Sequence, residues 1–241
     1  MERTNSLTQR FPQHQNRKII TEIEDEIDLN STPKSLHKSR SHSFSNYFSK
    51  DSTVLIDCTL MKTLNPTTVQ EFQKKNSQKS RAGVIPFKRK NGTLFFAFGM
   101  DMRTSDLTDF GGHVEQNETP LKAALREYSE ESLDAFGIIT EDDVKNSILI
   151  EDRSNIEIFY ETKFEMRECI NNFEFKMKQN LRDEKLGSEF FEMSGIVWLT
   201  FSQLLNILDD QSTKFENIKV FRMYSRILKI LKVNRLHLFN I

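Results

Sequence analysis

Apolar residues are sparse over the first fifty positions and become regular only after about residue 80. From there GVIPFKR (83–89) and TLFFAFGMD (93–101) are β-branched and aromatic runs of strand length. Asn91-Gly92 separates them, a dipeptide suited to the tight turn of a hairpin. DLTDFGG (106–112) predicts a short strand ending in two glycines, which turn the backbone sharply because glycine takes positive φ without steric cost. SILIED (147–152) and NIEIFYETKF (155–164) predict a second strand pair, and GIVWLT (195–200) one strand more. Helical patterning covers 120 to about 136, 167–182 (Ile170, Phe173, Met177 and Leu181 on one side) and 201–209. A last helix is predicted from about 215 to 232, with Ile218, Phe221, Tyr224, Leu228 and Leu231 inward. Strands on both sides of a central helix, with a helix at the end, predict an α+β fold: an α-β-α sandwich around a mixed sheet.

Upstream the pattern fails. Residues 1–50 are rich in Ser, Gln, Asn and His and too poor in apolar groups to offset chain entropy, which predicts a disordered N-terminal extension. Within it, TEIEDEIDLN (21–30) holds five acids, and 31–50 hold four basic residues and seven serines. Residues 51–80 are predicted to be a linker or partly ordered segment, with an apolar run at 53–60 and a short helix in 66–79 carrying Val69 and Phe72. The main domain is placed at 81–241.

Composition narrows the function. The formal net charge of −1 gives no global field toward nucleic acid or membrane. Locally, seven basic residues and no acid lie between Lys74 and Lys90. Cys58 and Cys169 are far apart, without Cys or His at ligand spacing, which excludes a disulfide scaffold and a zinc ribbon. The N-terminus lacks the apolar run of a secretory signal, and the longest apolar stretches are too short to span a bilayer. The expectation is a soluble intracellular protein with no membrane partner.

The chemistry concentrates in residues 108–134. Thr119-Pro120 is a helix start, with Thr as N-cap and Pro at the first helical position. At 100° per residue, Leu121, Ala124, Leu125, Tyr128, Ser132 and Ala135 share the core arc. Glu127, Glu130, Glu131 and Asp134 share the opposite one, facing outward or into a cleft. Crowded acids repel by about 0.2–0.5 kcal/mol per pair on an isolated helix. A cation between them reverses the sign. Glycine turn, loop and carboxylate face together direct oxygen ligands at one point, the donor type that suits Mg²⁺ or Mn²⁺.

Gly112, Glu118 and Arg126-Glu127-Tyr128-Ser129-Glu130-Glu131 stand at the spacing of the Nudix box, G-x5-E-x7-R-E-U-x-E-E-x-G-U, where U is a bulky aliphatic. Six fixed positions match, a coincidence of about 10⁻⁵ at average residue frequencies. The chain therefore resembles the Nudix hydrolase family over 112–133. It departs from the pattern at Tyr128 (an aliphatic position), at Leu133 and Asp134 (the last glycine and aliphatic), and at Phe110, where many members have proline.

The resemblance implies metal-dependent hydrolysis of a nucleoside diphosphate linked to another moiety. It implies Glu127, Glu130 and Glu131 as ligands of Mg²⁺ or Mn²⁺, with the Gly111 carbonyl, and Glu118 through water or as a partner of Arg126. Glu130 or Glu127 is the expected base. Arg126 is expected to align the carboxylates by pairing with Glu130 and Glu118. Glu189 and Glu192 are further candidates for ligand or base. His113 reads as a loop residue, and Tyr160 and Trp198 as core aromatics. The expected substrate is a nucleotide-type small molecule. The basic stretches at 31–50 and 74–90 keep RNA open as a partner, and with it a decapping-type activity. A non-catalytic binding module is the remaining alternative, and intact box glutamates weigh against it. Long polar extensions before such a domain also resemble Nudix proteins of large DNA viruses.

Overall fold

The computed structural model describes residues 67–75, 77–183, 192–209 and 222–241. The expectations for 1–50, 53–60, Cys58, Glu189 and 215–221 lie outside these residues. Among the described residues, eight strands form one mixed sheet. They are β1 (Thr67–Thr68), β2 (Arg81–Lys90), β3 (Thr93–Asp101), β4 (Leu107–Thr108), β5 (Phe110–His113), β6 (Ile148–Glu151), β7 (Asn155–Glu161) and β8 (Met193–Thr200). The helices are α1 (Val69–Lys74), α2 (Pro120–Ser132), α3 (Glu141–Val144), α4 (Met166–Asp183), α5 (Phe201–Leu208) and α6 (Ser225–Val233), before a 3-10 turn at Arg235–Asn240.

The β2–β3 hairpin forms as patterned, with Asn91 at φ 49° and Gly92 at φ 76° supplying the left-handed turn. β2 then takes β7 along one edge in parallel register, Arg81 opposite Asn155 through Phe87 opposite Glu161. Its other edge is divided. Phe87–Lys90 pair with β3, whereas Arg81–Val84 pair with β5. β3 bonds β4 at Gly99 and Met100 and β8 on its far edge. The hairpin strands therefore splay, and β4 and β5 fill the wedge between them. That wedge carries Gly111 and Gly112.

One sheet face bears Ile85, Phe87, Phe96, Phe98, Phe159, Val197 and Leu199, covered by Leu204 and Leu208 of α5 and Ile227, Ile230 and Leu231 of α6. Full burial of each such side chain stabilises by about 1.5–3 kcal/mol. The other face packs α2 and its following turn through aromatic contacts: Tyr128 with Phe110, Phe136 with Phe110, and Phe136 with Trp198. Helices thus flank the sheet on both faces, the α-β-α sandwich of the sequence reading. Tyr160 and Trp198 are buried in this packing.

The short helix expected in 66–79 forms as α1, capped by Thr68 and with Val69 and Phe72 buried, and Thr67–Thr68 pair with β6. Two other local expectations change. The central helix stops at Ser132 rather than near 136, because Leu133 and Asp134 turn left-handed at φ 53° and 51°. The last helix begins at Ser225; Tyr224 precedes it with extended ψ of 131° and is not one of its inward residues.

The basic run 74–90 is also dispersed. Lys79 pairs with Glu151, Lys88 and Lys90 with Glu165, Arg89 with Glu161, and Arg81 is buried. No helix among the described residues is long and apolar enough to cross a membrane.

Candidate active site

Gly111 and Gly112 sit in β5 in extended conformation, not at a sharp turn, and neither has positive φ. Their lack of a side chain serves close approach instead. A Cβ on Gly112 would lie 2.3 Å from the Glu127 carboxyl, so glycine lets α2 settle against the strand. A Cβ on Gly111 would meet Asp109 Oδ2 and the Gly83 Cα at 2.4 Å each. Gly83 faces Gly111 across the ladder, and the pair leaves a seat for the Asp109 side chain.

Of the two directions the helical arc leaves open for Glu131, outward or into a cleft, the structure takes the second: the side chain is buried on the cavity wall, and its Oε2 accepts from Gly111 N–H at 2.6 Å. Burial, then the nearby Asp109 charge, push its carboxyl well above the ordinary glutamate range, against the pull of the Gly111 N–H and Arg81.

Arg126 fans across the rest of the box. Its Nε and Nη2 donate to the two oxygens of Glu118 at 3.1 and 3.0 Å. Its Nη1 donates to Glu127 Oε1 at 2.8 Å and Glu130 Oε2 at 3.2 Å. Nη2 also reaches the His113 carbonyl at 3.1 Å, tying loop to helix. The Arg126 hydrogen bonds hold the Glu118 carboxyl below its usual range. Glu118 also accepts from Glu115 N–H at 3.1 Å, closing the loop. The His113 side chain is exposed at the end of β5.

A second arginine network lies beneath. Arg81 donates to both oxygens of Asp109 at 2.7 Å, to Glu157 Oε1 at 3.1 Å and to the Gly111 carbonyl at 2.6 Å. The Gly111 peptide is therefore held at both ends, its N–H by Glu131 and its carbonyl by Arg81. Burial opposes the Arg81 charge, and the carboxylates of Asp109 and Glu157 outweigh it, so its pKa rises. Glu157 is fully buried, its Oε2 has no hydrogen-bond partner, and burial raises its carboxyl well above the ordinary range.

Both networks border one cavity of about 360 Å³. Its lining includes Arg81, Gly111, Gly112, Glu127, Glu131 and Glu192. Glu192 thus shares the cavity with the box, although it comes from the residue just before β8.

No family model and no curated protein matches the chain. Solved structures do. An Ap4A hydrolase from C. elegans is 14% identical, covering 67% of this chain and 98% of that one at a TM-score of 0.37. A NUDIX-family hydrolase from Clostridium perfringens is 18% identical with the same coverages and a TM-score of 0.32. The NUDIX domain of Shewanella oneidensis NrtR, complexed with ADP ribose, is 8% identical, covering 74% and 97% at a TM-score of 0.34. The spacing of Gly112, Glu118, Arg126, Glu127, Glu130 and Glu131 carries the resemblance of this chain to the Nudix family.

The Nudix-box carboxylates suit a hard cation by donor chemistry. Burial, with the nearby Asp109 and Glu127 charges, raises the Glu131 carboxyl, and a divalent ion at this place would offset that repulsion. Among the described residues, however, no three acidic, His or Cys groups converge as a ready-made metal site. Arg126 holds Glu127 and Glu130, and Arg81 occupies the Gly111 carbonyl.

Arg81, Asp109 and Glu157 were not singled out from the sequence as a cluster. Their signal was a charged residue inside or beside an apolar strand, as with Glu157 within NIEIFYE. Tyr224 and Arg226 also line the cavity and carry no box signature.

Proposed function

We propose that the chain is a Nudix hydrolase that uses Mg²⁺ or Mn²⁺ to split a diphosphate bond in a nucleoside diphosphate linked to another moiety. The observation that carries this reading is the placement of Glu127 and Glu131 against the Gly111-Gly112 strand, on the wall of one cavity. The domain spans 81–241, and the strand and helix of 67–74 are joined to its sheet through β6. Glu127, Glu130 and Glu131 would hold the metal, with the Gly111 carbonyl, which already accepts from Arg81, as a further donor. Glu118 acts through Arg126.

A bound divalent ion neutralises phosphate charge and makes water more acidic. The chain's own residues do the rest. Glu130 or Glu127 accepts the proton of the attacking water, and Arg126 fixes the direction of both carboxylates. Glu131, anchored on Gly111 N–H, sets the distance between helix and strand. The substrate is a nucleotide-type small molecule.

The test is phosphate release from a panel of nucleoside-diphosphate derivatives and capped RNA, with Mg²⁺ or Mn²⁺. Glu127→Gln and Glu130→Gln are expected to lower kcat, the base by about 10²–10⁴-fold. Absence of turnover on every substrate, or full activity in both variants and in Glu131→Gln, sinks the hydrolase reading.

A further inference from the structure

Part of the cavity wall that the box does not supply comes from the segment after Arg222. Leu107 N–H donates to the Arg222 carbonyl at 2.7 Å, and Tyr224 N–H donates to the Leu107 carbonyl at 2.8 Å. Met223 bridges Leu107 in parallel and is buried. This short ladder extends β4, next to Thr108, which itself lines the cavity. Tyr224 and Arg226 are thereby placed on the cavity by backbone bonds and a buried anchor rather than by a loose loop.

Charge singles out Arg226. Among the described residues, five carboxylates line the cavity: Asp101, Glu115, Glu127, Glu131 and Glu192. The other arginine among the described lining residues, Arg81, is committed to Asp109, Glu157 and the Gly111 carbonyl. Among the described residues Arg226 makes no ion pair. Its guanidinium lies over the Tyr224 ring, 5.3 Å from the centroid. Stacking of this kind orients the guanidinium plane and leaves its N–H edge free to grip two oxygens at once, the geometry that matches phosphate. It also lowers the entropy lost when an anion binds.

We propose that the Arg226–Tyr224 pair is the phosphate-recognition arm of this cavity. It grips a phosphate group of the substrate other than the one attacked, and so favours substrates with an extra phosphate over those whose second moiety is neutral. This rests on the hydrolase reading for the identity of the substrate, but the anion site itself does not. The residues act in binding, with Arg226 contacting the anion and Tyr224 positioning Arg226.

Two measurements on the full chain test it. The first is calorimetric binding of tripolyphosphate to wild type, Arg226→Gln, Tyr224→Leu and Tyr224→Phe. Arg226→Gln is expected to weaken binding about tenfold or more, as for loss of a charge-assisted hydrogen bond. Tyr224→Leu weakens it less, and Tyr224→Phe, which keeps the ring, restores near wild-type affinity. The second is the ratio of KM for a dinucleoside tetraphosphate to KM for a nucleotide sugar with an uncharged sugar. Arg226→Gln is expected to raise that ratio about tenfold. Arg226 is exposed, so folding is not at stake. Equal binding in wild type and Arg226→Gln, no binding in either, or an unchanged ratio overturns the proposal. Arg226-dependent binding without turnover of any substrate upholds the anion site while the hydrolase reading fails. Turnover with an unchanged ratio does the reverse.

Discussion

Arg126 and Arg81 each gather carboxylates, but in opposite physical regimes. The Arg126 side chain is 28% exposed, and Glu118, Glu127 and Glu130 around it are 15–32% exposed. The Arg81 side chain is 6% exposed, and Asp109 and Glu157 are fully buried. At the open site water screens the charges and side chains can swing toward a ligand. At the closed site the charges have only each other, so geometry is fixed and any loss is felt as instability. Gly111 ties the closed site to the helix that carries the open one: its carbonyl accepts from Arg81 and its N–H donates to Glu131, the neighbour of Glu130 on α2. The closed network is a foundation, and the open one works on top of it.

The sharpest way to break this comparison is Arg81→Met. It leaves Asp109 and Glu157 buried without their cation, a loss of about 3–5 kcal/mol. Urea unfolding should show a lower midpoint with the slope retained. Adding Asp109→Leu and Glu157→Leu removes the orphaned charges and should recover much of the stability. A loss below about 1 kcal/mol in the single variant would mean that the closed network is not closed in solution. Arg126→Lys should behave in the opposite way. Lysine keeps the charge but cannot fan to three carboxylates. Activity and metal affinity should fall about 10–100-fold, the usual effect of losing a group that orients ligands. Stability should change by no more than about 1 kcal/mol.

The same contrast explains what the sequence could disclose. Arg126, Glu127, Glu130 and Glu131 lie on one helix, with Glu118 just before it, so local periodicity carries their relation directly. Arg81, Asp109 and Glu157 are separated by 28 and 76 residues. They meet only because β2 pairs with β5 on one edge and with β7 on the other. No local pattern encodes that pairing. The hairpin, the strand pair 148–161 and the central helix were legible because turn chemistry and period are local. The burial of Glu131 was not, because it depends on how near α2 comes to a glycine strand. The left-handed Leu133 and the late start of α6 at Ser225 escaped because apolar periodicity continued through both.

Two glycines probe the boundary between the networks. On Gly83 an added methyl would lie 1.9 Å from Asp109 Oδ2 and 2.9 Å from Glu157 Oε2. Neither carboxylate has space to yield, so Gly83→Ala should lower stability by about 1–3 kcal/mol. On Gly112 the methyl would strike the Glu127 carboxyl at 2.3 Å, the far end of a flexible side chain. Gly112→Ala should therefore leave stability nearly intact and lower activity by turning Glu127 away. Unfolding midpoints and kcat measured on both variants decide it; equal behaviour of the two would erase the distinction.

The smallest effect separates the networks by the sign of their pH dependence, measured as melting temperature with divalent metal chelated. Burial, and then Asp109, raise the folded-state pKa of Glu157 above the ordinary 4.5. Between that value and its folded pKa the native state holds the proton that the unfolded chain has lost, so stability falls as pH rises through this window. Glu157→Gln cannot titrate, and its stability should fall less steeply there. Glu118 has the opposite shift, lowered by Arg126 from the same 4.5. Its contribution is present above that value and is lost as pH falls through its folded pKa. Glu118→Gln should therefore be less stable than wild type near neutrality and equal to it in strong acid. Slopes of one sign from both substitutions would show that burial does not divide the two arginine sites.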